Sequence, residues 1–274
     1  MCSFETEILK GRIGDGRFIG PNQVVHKPSG TVISGNGRAN RHGLLTLYRV
    51  FTRNHRYGNA AYDWPEREIS VEGDAVMLRW PAIKDRPFAL QARYSFPESD
   101  QVGLEVTVEA RKKLVDFEVQ VASYFDEAFP FAQVRVGEKT VSRSPQKLGA
   151  WHAFPRDERA IAIIGDGRWS HGPSPVASFA MRKKFAMPYS LRSHRENGLT
   201  ALLESPMDDC FAIYTAHDGE AHYSNYHALF GRTIAAGKKA TAKVSLTLQD
   251  KVDDQDDPGP RDPHVRGRRC RCGQ

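Results

Sequence analysis

Apolar residues recur along most of this chain with a period of two. Residues 88–96 (FALQARYSF), 102–110 (VGLEVTVEA) and 117–125 (FEVQVASYF) alternate apolar and polar side chains, the pattern of a strand with one buried face. Residues 67–72 and 75–80, separated by Gly73-Asp74, read as a hairpin. Residues 240–248 (ATAKVSLTL) alternate just as cleanly behind a turn at Gly237-Lys238-Lys239. Shorter apolar runs at 44–51, 132–136, 160–164, 199–203, 211–214 and 228–230 are further strand candidates, and 4–10 reads as an edge strand. No stretch carries a long helical period. The expected fold is all-β, a large antiparallel β-sandwich with few short helices.

Composition narrows the class. The 274 residues, 40% of them hydrophobic and 10% aromatic, suffice for one large β domain over 1–250. The 23 glycines and 16 prolines, spread along the whole length, supply the turns such a fold requires. Residues 251–274 run from acidic to basic and carry almost no large apolar side chain, so they are expected to be disordered. A formal net charge of +6, partly from that tail, leaves the body only mildly basic and gives no reason to expect nucleic acid. No segment approaches the apolar length of a spanning helix, and the start shows no basic-then-apolar leader. A soluble protein is expected, cytoplasmic as written, or periplasmic or secreted if an amino-terminal leader is missing. The 4 cysteines form no framework, and Cys270-Arg271-Cys272 lacks the spacing of a zinc site.

The chemistry concentrates in two polar stretches. Residues 209–232 (DCFAIYTAHDGEAHYSNYHALFGR) begin and end as strands around a loop holding His217, Asp218, Glu220, His222, Tyr223 and His227. Strands that present a loop dense in titratable groups are a common way to build a site. The earlier stretch, Gly35 to Gly43 (GNGRANRHG), offers Arg38, Arg41 and His42 among glycines that permit close backbone approach. By contrast, the glycines of residues 11–20 are followed by Pro21 and an apolar run, not by a helix start, so they read as turns and not as a phosphate cradle.

These features resemble the galactose mutarotase-like superfamily, which includes the aldose 1-epimerases. Gly37-Arg38-Ala39-Asn40-Arg41 is similar to an early epimerase stretch that lies against the sugar. The aromatic strand, polar loop, Leu229-Phe230-Gly231-Arg232 and final alternating strand are similar to the end of that domain. The resemblance implies a β-supersandwich and a saccharide ligand, with no cofactor and no membrane partner. One departure is marked: the family's mid-chain catalytic histidine precedes a Tyr-Phe pair, whereas Ala122-Ser123-Tyr124-Phe125 holds no histidine.

Anomeric interconversion needs a base for the O1 proton and an acid for the ring oxygen, placed across the sugar. Glu220 is the first candidate base, with Glu204, Glu127 and Asp126 behind it, and His222 or His217 is the candidate acid. Arg38, Arg41 and His42 are candidate sugar contacts, and Tyr223, Trp64 and Trp151 are candidate stacking platforms. His217, His222 and His227 are spaced by five, which matches no established ligand pattern, so no metal is expected. The rival readings are a non-catalytic carbohydrate-binding module and a polysaccharide lyase or hydrolase.

Overall fold

The computed structural model describes residues 1–14, 19–35, 43–136, 139–143, 150–153, 179–181, 188–216 and 223–250. Three sheets hold most of them. A four-stranded sheet holds β1 (Cys2–Glu5), β2 (Leu9–Ile13), β3 (Asn22–His26) and β4 (Thr31–Ser34) in sequence order. A nine-stranded sheet runs β13 (Lys139–Arg143), β12 (Phe131–Val136), β16 (Tyr189–Ser193), β17 (Thr200–Glu204), β20 (Lys239–Gln249), β10 (Gln101–Ala110), β9 (Phe88–Ser95), β8 (Ala75–Trp80) and β7 (Glu68–Glu72). A seven-stranded sheet runs β15 (Phe179–Met181), β14 (Ala150–Ala153), β18 (Cys210–Ala216), β19 (Ser224–Ile234), β11 (Leu114–Tyr124), β5 (Thr46–Thr52) and β6 (His55–Arg56). Among the described residues, only β14 and β15 pair in parallel, and the one helical turn is the 3-10 segment Ala61–Asp63.

The alternating stretches behave as expected. β9 and β10 expose every second residue, their inward sets being Phe88, Leu90, Ala92, Tyr94 and Val102, Leu104, Val106, Val108. The 67–80 hairpin forms with Gly73 at φ +64°, a conformation only glycine adopts without strain. The 4–10 stretch does not run as one strand. It breaks into β1 and β2 around Thr6, whose hydroxyl accepts from the backbone N–H of Ile8 and Leu9 and so closes a tight turn.

The seven- and nine-stranded sheets are stapled face to face by an aromatic file. Trp64 packs edge-on to Trp80 and against Phe88, Phe88 meets Phe117, and Phe117 meets Phe230, with centroids 5.2–6.2 Å apart. Each such ring buries about 150–250 Å² and contributes on the order of 4–6 kcal/mol as an upper bound.

A second staple is polar. Arg192 on β16 is fully buried and donates from Nε to Asn225 Oδ1 of β19 at 2.8 Å. Asn225 Nδ2 donates to Ser190 Oγ at 3.0 Å, and Ser190 Oγ lies 3.3 Å from His227 Nε2. His227 Nδ1 is 2.9 Å from Ser205 Oγ. Each ring nitrogen of His227 thus has a serine hydroxyl as its hydrogen-bond partner.

Two expectations are corrected here. Residues 224–227 are strand, not loop: β19 starts at Ser224, and Ser224, Asn225 and His227 are all fully buried. The polarity of Asn225 and His227 is taken up by the network just described, and the Ser224 carbonyl accepts from Arg192 Nη2 at 3.0 Å. β11 is also buried on both faces beyond Val115, although its alternation suggests one solvent face.

Candidate saccharide face

Phe117, Val119 and Val121 of β11 point into the core between the sheets. The pleat therefore turns Glu118, Gln120, Ala122 and Tyr124 to the outward side of the seven-stranded sheet. Cross-strand register puts Tyr226 of β19 beside Ala122, and Tyr214 of β18 and Trp151 of β14 continue the same row. On the other flank β5 carries a bulge: Val50 faces Val119 and Leu47 faces Val121, so Tyr48 and Arg49 together oppose Gln120. Such a bulge re-aims side chains. Here it sets the Arg49 guanidinium 4.7 Å from the Tyr48 ring centroid, with Nη2 donating to the Tyr48 hydroxyl at 3.1 Å.

Around this bulge the tyrosines close into a cluster. Tyr62, from the 3-10 turn, stacks on Tyr48 at 5.9 Å and 18°. Tyr48 meets Tyr226 at 5.7 Å, and Tyr226 meets Tyr124 edge-on at 6.1 Å. The hydroxyls of Tyr124 and Tyr226 are 3.0 Å apart. Burial, the neighbouring Tyr226 and the more distant Tyr48 push the Tyr124 phenol far above its ordinary range, so it stays protonated. Beside the cluster Gln120 Nε2 donates to the carboxylate of fully buried Glu118 at 3.1 Å. Flat phenol faces next to amide, carboxylate and guanidinium groups suit a ring of alternating C–H and O–H surface.

Both polar stretches singled out by the sequence are tied to the end of this same strand. Gly43, which closes the 36–42 segment, accepts from the Tyr124 N–H at 3.0 Å, and Ile33, just before it, accepts from the Asp126 N–H at 2.8 Å. Tyr223, which closes the 217–222 segment, accepts from the Phe125 N–H at 2.8 Å, and Ser224 pairs with Tyr124. Segments almost 180 positions apart thus leave from the three consecutive residues Tyr124, Phe125 and Asp126.

The individual expectations separate accordingly. Glu220, His222, His217, Arg38, Arg41 and His42 lie outside the described residues. Trp151 sits on β14 in register with Tyr214. Tyr223 is half-buried at the loop end, and its ring lies 5.7 Å from the Arg192 guanidinium. Trp64 is enclosed, 9% exposed, with Nε1 donating to Tyr57 O at 3.1 Å and Arg86 4.1 Å over its ring; it is a core residue.

Of the reserve carboxylates, Glu127 is exposed, and Glu204 borders a cavity of about 370 Å³ on the nine-stranded sheet. Asp126 is at the junction itself. Burial raises its carboxyl above the ordinary range, against the opposing hydrogen bond from the Ala128 N–H at 3.1 Å. His227, the third histidine of the polar stretch, has both ring nitrogens engaged by serines and is closed to a metal. No group of acids, histidines and cysteines with metal-site geometry occurs among the described residues.

Sequence reasoning missed Tyr48, Arg49, Glu118, Gln120, Tyr124 and Tyr226 as members of one face. The available signal was Tyr48-Arg49, a polar pair inside the otherwise apolar run 44–51.

No known protein family and no curated protein matches the sequence. Solved structures do match. The galactose mutarotase related enzyme from Lactobacillus acidophilus superposes with a TM-score of 0.56 at 10% identity, covering 92% of this chain and 98% of that one. The fold is galactose mutarotase-like. A protein from Synechocystis sp. PCC 6803 gives 0.53 at 9% identity over 91% and 96% of the two chains. An α-N-acetylgalactosaminidase from Bifidobacterium bifidum, in complex with GalNAc, gives 0.56 at 12% identity. The mutarotase-like chain covers 92% of itself there but spans only 37% of that enzyme. At such identities the likeness establishes the fold and leaves the activity to the site.

Proposed function

We propose that this protein recognises a saccharide on the outward face of its seven-stranded sheet, at the Tyr124 end of β11. The observation that carries the reading is the tyrosine cluster of Tyr48, Tyr62, Tyr226 and Tyr124 on the strand where both polar segments are anchored. Its support from fold analogy is that neighbours of this shape carry names of sugar-handling enzymes. Calorimetric titration with glucose, galactose and N-acetylgalactosamine tests it. Saturable binding is expected for at least one sugar, weakened at least tenfold by Tyr226→Ala and by Tyr62→Ala. Arg79→Gln, on the far sheet, should leave it unchanged. Binding that ignores both tyrosine variants, or no binding to any sugar, overturns the proposal.

A second reading adds aldose 1-epimerase-like chemistry. It is favoured by Tyr223, the residue after the 217–222 segment, whose carbonyl accepts from the Phe125 N–H beside the cluster; Glu220 is the candidate base and His222 or His217 the candidate acid. Against it stands the stretch Ala122-Ser123-Tyr124-Phe125, which holds no histidine where the resemblance calls for one. Polarimetry of freshly dissolved aldoses decides between the two. Acceleration abolished by Glu220→Gln supports the isomerase, and binding without acceleration supports recognition alone.

A further inference from the structure

Arg49 is 6% exposed, and its Nε is buried with no hydrogen-bond acceptor. Among the described residues its side-chain hydrogen bond goes to the Tyr48 phenol, and no ion pair joins it to an acid. A buried guanidinium in that state is poorly compensated, because desolvation of the charge is returned only by a partner of opposite sign. The nearby acid, Glu118, stands opposite Phe51, one row along the sheet, and its Oε1 accepts from Gln120.

A second cation reinforces the first. Arg56 of β6 pairs with Phe51 and curls back along the turn, donating to Gly58 O at 2.9 Å and Asn59 O at 2.7 Å. This brings it close enough to Arg49 that burial first and Arg49 second lower its pKa, while Tyr48 and Tyr62 oppose that fall. Arg49 thus lies against the stacked pair Tyr48–Tyr62, and Arg56 flanks it from β6, opposite Phe51 of the same strand as Arg49.

We infer that this corner receives the anionic group of an acidic saccharide, a carboxylate or a phosphate, on Arg49 and Arg56. The inference rests on the saccharide reading of the same face and narrows it to a substrate class. The sugar ring lies on the tyrosines, and its charge meets the Nε–H that lacks an acceptor. Guanidinium suits either anion because its planar fork presents parallel donors to two oxygens.

The test is calorimetry with four probes: glucose, glucuronate, glucose 6-phosphate and inorganic phosphate. Glucuronate or glucose 6-phosphate should bind at least tenfold more tightly than glucose, and whichever wins identifies the anion. Arg49→Gln should erase that advantage, so that glucose and the acidic sugars bind the variant alike, and Arg49→Lys should restore only part of it. Arg56→Gln, at a half-exposed side chain, should reduce the advantage severalfold with the fold intact by circular dichroism. Equal affinity for glucose and both acidic sugars overturns the inference and leaves the saccharide site standing. So does an acidic preference untouched by Arg49→Gln and Arg56→Gln. Inorganic phosphate binding as tightly as glucose 6-phosphate overturns it too, since the sugar would then contribute nothing. Absence of binding by all three sugars removes the parent proposal instead.

Discussion

His227 shows how a residue that reads as surface chemistry in the sequence serves as structure in the fold. It is fully buried between two serine hydroxyls, and burial lowers its pKa from 6.5 to about 3. In the unfolded chain the imidazole takes up its proton near pH 6.5, whereas the folded protein holds it neutral down to about pH 3. Across that window the unfolded state binds more protons, so stability falls as pH drops, by up to about 1.4 kcal/mol per unit from this group. Asp126 acts in the opposite direction just above pH 3.8, since its carboxyl is raised by burial. Urea unfolding at pH 7 and 4.5 isolates the histidine: wild type should lose more stability between the two than His227→Gln does. At pH 7 the variant should itself be weaker by about 1–3 kcal/mol, because it disturbs the bonds to Ser190 and Ser205. Parallel pH dependences would mean the buried imidazole is not held neutral.

At the scale of the element, β11 and its anchors decide what the face can be. Gly43 has φ +77°, and a Cβ there would meet Pro21 O at 2.6 Å, while its carbonyl holds the Tyr124 N–H. Gly43→Ala should therefore cost at least about 1–2 kcal/mol and weaken sugar binding as well, readable from thermal unfolding and titration of the same sample. An unchanged midpoint would show that the junction adapts. Alternation marked β9, β10 and β20 well because each has a solvent face. It misled on β11, where Glu118 and Gln120 look solvated but are buried, and on β19, where Ser-Asn-Tyr-His looks like loop. Period-two reading sees one strand at a time. The partners that satisfy Asn225 and His227 come from Arg192, Ser190 and Ser205, 22–37 positions away. Trp64 was misplaced for the same reason: its polar neighbours Asp63 and Glu66 are adjacent in sequence, but Trp80, Phe88 and Arg86 enclose its ring.

For the whole molecule, one apolar cluster runs from Phe4 and Ile33 of the small sheet through Phe117 to Val244 of the large one. Phe117→Ala cuts the aromatic file at its middle and should cost about 3–5 kcal/mol, with unfolding still a single transition; two resolved transitions would show that the sheets are separately stable. The mutarotase-like architecture was legible in the sequence as strand spacing and in the two polar stretches. The face itself was not, because its members come from β5, β11, β19 and the 3-10 turn, and only pairing register assembles them. The most direct test of the account is a crystal structure grown with saturating glucuronate. It should show the sugar ring against Tyr48, Tyr62 and Tyr226 with its carboxylate on Arg49. Sugar density confined to the nine-stranded sheet, in the cavity bordered by Glu204 and Lys243 or the one beside Trp80, would contradict it.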